Sequence, residues 1–383
     1  MPTNLSPEYF KAEERYLQAR TLEEKILATE ELIRAAPKHK GTEKLLRTLK
    51  HRLAKLRREL QEKRESRVGR GGGSSFEVKK EGAAQVALVG LPNSGKSWLL
   101  RKLTSASPEV ADYPFTTREP VPGMMQFEDV QVQLVEVPAI VEGSSLGKGL
   151  GVQPLSAARN ADVIALIIDA SAGPLQQVQI LVDELSAVSI RLNQRPPKIT
   201  IQRRSVGGIE MRGAEMAEGG EAEIKRILQD HRVHNAFIVV EEPVRGEEIE
   251  EALDESVVYR RAFIIFTKYD THGAAEKLRS LEREFGALFR IIPVETAGEG
   301  LKKSIYENLD LIRVYTKRPD EEPAKRPLVL IKGSTVFQVA RAVHKDFEKG
   351  LKFARVWGST RFPGQQVSRD YVLKDKDIVE LHA

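Results

Sequence analysis

The chain has 383 residues, of which 41% are hydrophobic and 30% charged, so it is too long for one core and too apolar for a disordered protein. Its lack of cysteine excludes disulfides, thiolate metal sites and cysteine nucleophiles. The net charge of +5 is only mildly basic, which makes the distribution of charge along the chain more informative than the total.

Residues 1–70 are predicted to form a basic helical hairpin. Thr21-Leu-Glu-Glu24 has the pattern of a helix start, and Pro37 would end that helix. A second helix is indicated by leucines at alternating spacings of three and four, namely Leu46, Leu49, Leu53, Leu56 and Leu60. Between residues 38 and 70 there are thirteen Lys and Arg against four Glu, which indicates either a solvated helix face or an anionic partner such as RNA.

The next part of the chain predicts an α/β domain. Residues 71–82, which open with glycines and serines, are predicted to be a flexible linker. Val86–Val89 then has the pattern of a buried strand, and a glycine-rich loop and a helix through Leu103 follow it. Further strand-like segments alternate with helical ones, which favours a mostly parallel sheet covered on both faces. These strands are predicted at residues 121–127, 130–135, 163–168, 263–266 and 290–293.

Two departures from this alternation divide the chain further. Residues 191–245 are predicted to be an inserted α+β subdomain, so that the α/β domain consists of residues 83–190 and 246–318. After a proline-rich stretch, residues 326–383 predict a small mixed domain with one helix, over residues 335–347, among several strands.

A complete phosphate-binding loop pattern occupies residues 90–97, between a predicted strand and a predicted helix. Its glycines let backbone N–H groups surround phosphate oxygens, and the helix N-terminus adds a favourable dipole. Lys96 is predicted to neutralise the β- and γ-phosphates and so to act in catalysis, and Ser97 to bind Mg²⁺. The predicted nucleotide contacts of this loop are Leu91, Pro92, Asn93, Ser94, Gly95, Lys96, Ser97 and Trp98.

A guanine-recognition motif is predicted at Thr267-Lys-Tyr-Asp270, directly after an apolar strand. The carboxylate of Asp270 can accept two hydrogen bonds from the N1 and N2 groups of guanine, which adenine does not offer. Thr267 opens the motif, and the stem of Lys268 would pack over the base. After the next strand, Thr296 and Ala297 are predicted to support guanine O6 with their backbone amides.

Two segments between these motifs are candidate switches. Tyr113-Pro-Phe-Thr-Thr117 follows the loop helix, and Thr117 is preferred to Thr116 as the residue that contacts Mg²⁺ and the γ-phosphate and acts in catalysis. Glu136-Val-Pro-Ala139 follows a strand, at the place where an Asp-x-x-Gly motif belongs. The glycine- and charge-rich residues 142–151 are typical of a mobile switch.

With these motifs in this order, the chain resembles the developmentally regulated GTP-binding (DRG) branch of the Obg-type GTPases. The resemblance covers nearly the whole chain. Two strings are specific to that branch, Arg-Leu-Asn-x-Arg-Pro-Pro at residues 191–197 and Val-Trp-Gly at residues 356–358. Further matching segments are residues 109–117, 141–143, 147–149, 157–161, 207–209 and 233–236.

The resemblance implies a P-loop G domain with a small insert similar to a ribosomal-protein domain, an N-terminal helical region and a C-terminal TGS domain of ubiquitin-like β-grasp fold. It also implies a cytoplasmic protein that hydrolyses GTP to GDP and associates with the ribosome or ribosomal RNA, often with a dedicated partner protein. No DNA specificity is expected. Because no apolar stretch approaches the roughly 20 residues of a membrane span and no secretory signal is visible, no membrane partner is expected either.

Four positions bear on how this sequence would perform that activity. Glu136 replaces the Asp that holds the water shell of Mg²⁺, so we expect it to bind the metal through water. Ala139 replaces the glycine whose amide meets the γ-phosphate, and its Cβ restricts the backbone flip. Thr267 replaces an Asn, a change that some active GTPases tolerate. Ile140 offers no water-orienting glutamine, as in the Obg group generally, so slow intrinsic turnover is expected.

The sequence leaves several alternatives open. Asn93 either helps to bind K⁺ beside the β- and γ-phosphates, as its counterpart does in potassium-stimulated GTPases, or makes a local turn contact. For the whole protein, the first hypothesis is a GTP hydrolase acting as a translation-linked switch. The second is a nucleotide-gated RNA- or ribosome-binding module with little hydrolysis, and Glu136 and Ala139 are the reason for considering it. A third reading is ATP specificity, against which Asp270 argues.

Other polar and aromatic residues receive simpler interpretations. Three histidines lack metal-ligand spacing and are expected to be structural or exposed, namely His231, His234 and His344. The side chains of Trp98 and Trp357 are expected to pack. Basic residues of the C-terminal domain indicate either an RNA-facing patch or a soluble surface, and these are Lys349, Lys352, Arg355, Arg361 and Arg369.

Overall fold

The computed structural model divides the chain into two compact units, Met1–Ser75 and Phe76–Ala383, each of which is described by itself. The predictions for Thr117, Thr296 and Ala297 lie outside the described residues. Within those residues, no helix combines the length and the apolar character that crossing a bilayer requires. The structure describes residues 9, 11, 12, 15, 16, 22–37, 49, 53, 56, 78–106, 119–148, 150, 151, 153–295 and 298–382.

In the first unit, helix α1 (Leu22–Ala35) begins after Thr21 and ends before Pro37, as the helix-start pattern and the proline predict. Its Leu32 packs in a small core that also contains Tyr9, Ala12, Ala36 and Leu49. Three residues of the predicted leucine seam are described, and each is helical and at least partly buried, namely Leu49, Leu53 and Leu56. The remainder of the predicted hairpin stays a prediction.

The second unit alternates strands and helices along most of its length. Its helices are α2 (Lys96–Leu103), α3 (Gln153–Asn160), α4 (Pro174–Ala187), α5 (Gly220–Asp230), α6 (Gly246–Leu253), α7 (Ala274–Phe285), α8 (Glu299–Glu307), α9 (Val336–Val343) and α10 (Lys345–Gly350). Its strands are β1 (Gln85–Gly90), β2 (Val121–Phe127), β3 (Val130–Glu136), β4 (Val163–Asp169), β5 (Ile190–Leu192), β6 (Ile199–Arg203), β7 (Ile209–Arg212), β8 (Ala236–Val240), β9 (Val258–Thr267), β10 (Arg290–Pro293), β11 (Leu311–Lys317), β12 (Leu328–Ile331), β13 (Phe353–Trp357), β14 (Gln365–Val367) and β15 (Asp377–His382).

The main sheet has seven strands in the order β10-β9-β4-β1-β3-β2, with the short β5 also paired to β9. Neighbouring strands run parallel except β2 and β3, which form an antiparallel hairpin. Successive side chains of β1 point to opposite faces, so Ala87 enters one core and Leu88 the other. Helices α3, α4 and α7 cover the first face, and α2 and α8 the second, which confirms the predicted α/β sheet.

The inserted subdomain is a three-stranded sheet, β6-β8-β7, with α5 and α6 packed on one face. Its extent differs from the predicted residues 191–245 at both ends. Strand β5 pairs with β9 and so belongs to the main sheet. Helix α6 packs Ile249 and Leu253 into the core of the insert, which therefore continues to Leu253. A three-residue strand and a short acidic helix carry no local signal of which core they join.

The C-terminal domain contains a five-stranded sheet in the order β12-β11-β15-β13-β14, with α9 packed on it through Val336 and Val339. The predicted boundary at residue 318 differs from the structure, because β11 pairs with β12 and β15. The helix predicted over residues 335–347 is two helices. His344 between them is extended, with a φ of −167°, and its Nδ1 accepts a hydrogen bond from the Asp346 N–H at 3.2 Å.

Candidate nucleotide-binding site

The loop between β1 and α2 requires glycine at two positions. A Cβ on Gly90 would lie 2.5 Å from Ser94 Oγ and 2.7 Å from the carbonyl oxygen of Ile167, so no larger residue fits there. Gly95, directly before α2, has a φ of 93°, in the left-handed region that favours glycine. The loop therefore takes a tight path that ends at a helix N-terminus, where backbone N–H groups favour a bound anion.

Lys96 is the first residue of α2, and its side chain, which is only 6% exposed, reaches back into this loop. Its Nζ donates to the carbonyl oxygens of Gly90 at 3.0 Å and Leu91 at 2.8 Å. Burial lowers the pKa of Lys96 to about 8, although attraction to Glu136 works in the opposite direction. The loop thus encloses an amine whose pKa is only slightly above neutral pH, and a bound phosphate would hold that amine in its charged form.

Ser97 and Glu136 come together at the same edge of the sheet. Glu136 ends β3 and is 1% exposed, and its Oε1 accepts a hydrogen bond from Ser97 Oγ at 2.5 Å. A hydroxyl and a carboxylate are the hard oxygen ligands that Mg²⁺ prefers, so the donor set fits that ion. The glutamate that replaces the expected aspartate therefore still reaches the serine of the loop.

The segment after Glu136 runs alongside β1. The N–H of Val137 donates to the Leu88 carbonyl and the N–H of Ile140 to the Gly90 carbonyl, each at 3.2 Å. The Ile140 side chain is buried in the core of the main sheet, so it does not face the loop. Ala139, at 8% exposure, lies between these anchored residues. Residues 137–140 thus bring a small residue and no polar side chain to the phosphate-binding loop.

Glu184 of α4 holds the next part of that segment, a contact that the sequence did not reveal. It is 7% exposed, and its two carboxylate oxygens accept from the N–H groups of Gly143 at 2.5 Å and Ser145 at 2.6 Å. Ser144 Oγ in turn accepts from the Val141 N–H at 2.9 Å. Residues 142–145, which belong to the segment predicted to be a mobile switch, are therefore tied to α4 in the structure.

Thr267 joins the predicted base motif to the phosphate-binding loop. It is buried at the end of β9, and its hydroxyl donates to the Ser94 carbonyl at 2.8 Å, with the Ile168 carbonyl at 3.1 Å as an alternative acceptor. The same side chain faces Gly95, since a Cβ added at that glycine would lie 3.6 Å from Thr267. The hydroxyl thus fixes the spacing between the two motifs.

Lys268 pairs with Asp169, which ends the neighbouring strand β4. The distance from Lys268 Nζ to Asp169 Oδ2 is 2.6 Å, and the N–H and hydroxyl of Ser171 donate to Oδ1 of the same carboxylate. Burial works to raise the pKa of Asp169, but these hydrogen bonds outweigh it and hold the pKa below its usual value. The stem of Lys268 therefore extends along the sheet edge beside the loop.

Comparison with known proteins agrees with this geometry. Residues 85–203 match the family model described as 50S ribosome-binding GTPase, residues 206–311 the C-terminal region of that domain, and residues 312–383 the TGS domain. A GTP-binding protein of Methanocaldococcus jannaschii is 38% identical over 371 residues, which cover 94% of this chain and 92% of that protein. The developmentally-regulated GTP-binding protein 2 of Homo sapiens is 32% identical over 361 residues, covering 94% and 98%.

This chain belongs to the developmentally regulated GTP-binding (DRG) proteins of the Obg type. It is thus a GTP-binding protein with a P-loop GTPase domain and a C-terminal TGS domain. The TGS match from residue 312 agrees with the pairing of β11 in the C-terminal sheet. From here on, that sheet with α9 and α10 is called the TGS domain.

In this DRG protein the structure brings together much of the predicted site at the carboxyl edge of the main sheet. Lys96, Ser97 and Glu136 converge there, and Thr267 and Lys268 lie beside the loop. Asp270 lies on an exposed turn after β9. Its role in recognising guanine stays a prediction. Leu91 and Pro92 are half-buried in the loop, between Gly90 and Asn93.

Two side chains of the loop region point outward. Asn93 is exposed and has a φ of 60°, a left-handed conformation that asparagine adopts more readily than most residues. Trp98 is 38% exposed, which differs from the predicted packing role of its indole. By contrast, Trp357 in the TGS domain is half-buried, with Lys317 Nζ 4.6 Å from the centre of its ring.

Asp169 and Glu184 were not predicted from the sequence, although the sequence pattern around each of them indicates its role. Asp169 directly follows a run of buried apolar residues, the position at which parallel strands present functional side chains. Glu184 shares the buried face of α4 with Gln177 and Leu181, at helical spacings of seven and three residues. An acidic residue on an apolar helix face is a signal for a buried hydrogen-bonding partner.

GDP binding is expected to weaken as the pH rises above about 8. Lys96 has a pKa of about 8 in the free protein, and bound phosphates would raise it, so binding takes up a proton in this range. The affinity should then fall by up to about tenfold per pH unit. Calorimetric titration in two buffers of different ionisation enthalpy, at about pH 9 and at pH 7 as the control, measures this uptake. Equal apparent enthalpies at pH 9 would contradict a buried, titrating Lys96.

Glu184→Gln is expected to loosen residues 141–148. One carboxylate oxygen becomes an amide N–H₂ that cannot accept from the backbone, and a hydrogen bond to a charged group contributes about 1.5–3 kcal/mol. Cleavage by trypsin after Lys148, followed by mass spectrometry, should become about tenfold faster. The matched control is Asp183→Asn, which makes the same change at an exposed position of α4. Similar cleavage rates in both variants would show that the contact holds nothing in place.

Proposed function

We propose that this DRG protein hydrolyses GTP to GDP and uses the nucleotide as a switch for its association with the ribosome. One observation carries the proposal, namely the contact of Ser97 with Glu136 beside the enclosed ammonium of Lys96. A cation beside two hard oxygen ligands is the set of groups that the β- and γ-phosphates of a nucleotide and their Mg²⁺ require, which supports the proposal. The description of the matching family as 50S ribosome-binding GTPase supports the ribosome as the partner.

Each residue at this edge has a proposed role. Lys96 neutralises the β- and γ-phosphates, and the backbone N–H groups of the loop from Asn93 to Trp98 surround their oxygens, with Leu91 and Pro92 alongside. Ser97 and Glu136, with Thr117, would hold Mg²⁺, which supplies further charge neutralisation at the phosphates. Asp270 selects guanine, supported by Thr296 and Ala297. Because residue 140 is Ile140 and not a glutamine that could orient the attacking water, GTP turnover by the isolated protein is slow.

A specific observation also favours the second candidate, a nucleotide-gated binding module with little hydrolysis. Ala139 has a Cβ and lies directly before Ile140, whose N–H is bonded to the Gly90 carbonyl and whose side chain is buried. These contacts restrict the backbone rotation by which a glycine amide at this position would turn toward a γ-phosphate. Under this alternative, GTP would bind and order the loops without being consumed.

Single-turnover GTP hydrolysis with ribosomes supplied distinguishes the two functions. The parent is compared with Glu136→Asp, Ala139→Gly and the double variant, which restores the family pattern. Under the proposed function the parent hydrolyses GTP within about tenfold of the double variant, a difference of about 1.4 kcal/mol in the barrier. Hydrolysis by the double variant alone would establish the module and overturn the proposal.

For Asn93 we propose a role in binding K⁺ beside the phosphates. Replacing K⁺ by Na⁺ should then slow GTP hydrolysis by the parent several-fold. Asn93→Gly retains the left-handed backbone but removes the amide, so it should respond equally to the two ions. Hydrolysis rates measured in both salts test this. If the parent hydrolyses GTP at the same rate in K⁺ and Na⁺, Asn93 has only a role in the turn.

A further inference from the structure

The buried guanidinium of Arg313 connects two domains of the second unit through charge pairs with partly exposed carboxylates. It lies in β11 of the TGS domain, and its side chain is only 5% exposed. Its Nε and Nη2 bond to the two carboxylate oxygens of Asp375 at 3.1 Å and 2.6 Å. Its Nη1 bonds to Asp129 Oδ1 at 3.1 Å and also to Glu128. One guanidinium therefore holds a TGS carboxylate on one side and two GTPase-domain carboxylates on the other.

Further contacts surround this arginine. The Tyr315 hydroxyl donates to Asp129, and Lys376 Nζ lies 3.2 Å from Glu128 Oε2. The guanidinium carbon of Arg313 is 5.5 Å from the ring centre of Tyr306, whose ring lies 4.9 Å from that of Phe127. These contacts define the Arg313 node, which consists of Phe127, Glu128, Asp129, Tyr306, Arg313, Tyr315, Asp375 and Lys376.

The GTPase side of the node is the turn of the β2–β3 hairpin. Strand β2 follows the predicted switch at residues 113–117, and β3 ends at Glu136, which bonds to Ser97. Seven residues of extended strand span about 20 Å, so β3 runs from the phosphate-binding loop to the turn at Glu128 and Asp129. The same hairpin therefore contacts the nucleotide site at one end and the TGS domain at the other.

We propose that the Arg313 node transmits the identity of the bound nucleotide to the TGS domain, an inference that rests on the nucleotide site proposed above. A guanidinium that is 5% exposed and paired with three carboxylates cannot separate from them without a large loss of charge pairing. A shift of the hairpin at the Glu136 end is therefore passed to β11 and the turn at Asp375. Coupling between two sites requires an element of this kind, whose arrangement both sites influence.

Hydrogen exchange of the full chain, saturated with GDP or with a non-hydrolysable GTP analogue, tests this coupling. The readout is the exchange of the backbone amides of residues 366–382 in the TGS domain, none of which is predicted to contact the nucleotide. Couplings between sites typically change equilibria by about 5-fold or more, so the exchange rates should differ by about fivefold between the two nucleotides. Glu128→Gln with Asp129→Asn should abolish that difference. The matched control Glu348→Gln removes an acidic partner of Arg341 within the TGS domain and should retain it.

Two results would overturn the proposal. One is a parent whose TGS amides exchange equally with both nucleotides, and the other is a nucleotide-dependent difference that survives in the double variant. If the double variant does not fold, Tyr315→Phe removes one donor to Asp129 and should reduce the difference without abolishing it. Nucleotide affinity and hydrolysis are measured on the same samples. If the parent binds and hydrolyses GTP normally but its TGS amides do not respond to the nucleotide, only the coupling proposal is rejected. If the parent does not bind guanine nucleotides, the proposed function is rejected as well.

Discussion

Asp270→Ala is expected to weaken GDP binding by about 100-fold and to remove the preference for guanine over hypoxanthine. The parent carboxylate would accept hydrogen bonds from guanine N1 and N2, and each bond to a charged group contributes about 1.5–3 kcal/mol. IDP lacks the N2 amino group, so it should bind the parent about tenfold or more weakly than GDP. With alanine, GDP and IDP should bind equally. Competition against a fluorescent guanine nucleotide measures all of these affinities.

The same competition decides whether the site selects guanine at all. A site built to hydrogen-bond one base rejects an analogue that cannot reciprocate by about 10⁴-fold, so ADP should compete far less well than GDP. The control Asp254→Ala removes another exposed aspartate, at the C-terminal end of α6 in the insert, and should leave the ratio unchanged. A parent that prefers ADP would overturn the guanine assignment and establish ATP specificity.

Arg313→Met is expected to lower the free energy of unfolding of the TGS domain by about 1.5–3 kcal/mol, the size of a hydrogen-bond contribution to a charged group. Methionine fills similar volume but removes the cation that three carboxylates share, and water reaches these carboxylates, which are 29–48% exposed, so the loss is smaller than for a fully buried pair. Native-state hydrogen exchange of the buried strand residues Val314 and Val379 measures the change for this domain alone.

A charge-balanced variant separates electrostatics from packing. Combining Arg313→Met with Glu128→Gln, Asp129→Asn and Asp375→Asn removes the uncompensated charges and should restore most of the lost stability. If this combination is as unstable as Arg313→Met alone, packing and not charge pairing explains the effect.

The pH dependence follows from the carboxylates of the node. The hydrogen bonds from Arg313 and then Lys376 hold the pKa of Glu128 below its usual value. For Asp375, burial works to raise the pKa, but the bonds from Arg313 outweigh it and the pKa is lowered as well. Depressed carboxyl pKa values contribute stability that is present above the unfolded-state values of about 4 and is lost as the pH falls through the folded-state values. The difference between parent and Arg313→Met should therefore narrow below about pH 4.

The local sequence predicted the main sheet and the phosphate-binding loop because both are encoded in short windows. The buried run Val163–Ile168 and the half of β9 from Phe263 to Phe266 are apolar because helices cover both faces of the strands. The loop from Gly90 to Ser97 combines a strand, required glycines and a helix within a few residues. Patterns of this kind can be interpreted without knowing what packs against them.

Features that depend on distant partners could not be predicted in this way. The sequence of β11 is compatible with a strand of either domain. Its pairing with β15, more than fifty residues later in the chain, assigns it to the TGS domain. Arg313 is an ordinary strand arginine until Glu128, Asp129 and Asp375 are brought to it by the fold. Glu184 likewise acquires its role only from amides some forty residues earlier in the chain.

The departures from the family pattern have different consequences in the structure. Glu136 still contacts Ser97, and Thr267 still connects the base motif to the phosphate-binding loop, so both substitutions preserve a contact within the site. Ala139 is different, because it adds a Cβ between two anchored residues. We therefore expect Ala139→Gly to change the hydrolysis rate more than Glu136→Asp does.

Co-sedimentation with ribosomes tests the central claim most directly. The full chain is mixed with ribosomes in excess GDP or in excess non-hydrolysable GTP analogue, at low and moderate salt, with Asp270→Ala as the control for nucleotide recognition. A nucleotide-controlled switch predicts that several-fold more protein sediments with ribosomes in the GTP analogue than in GDP, and that this ratio collapses in the variant. Equal sedimentation of the parent in both nucleotides, or none in either, would contradict the proposed function.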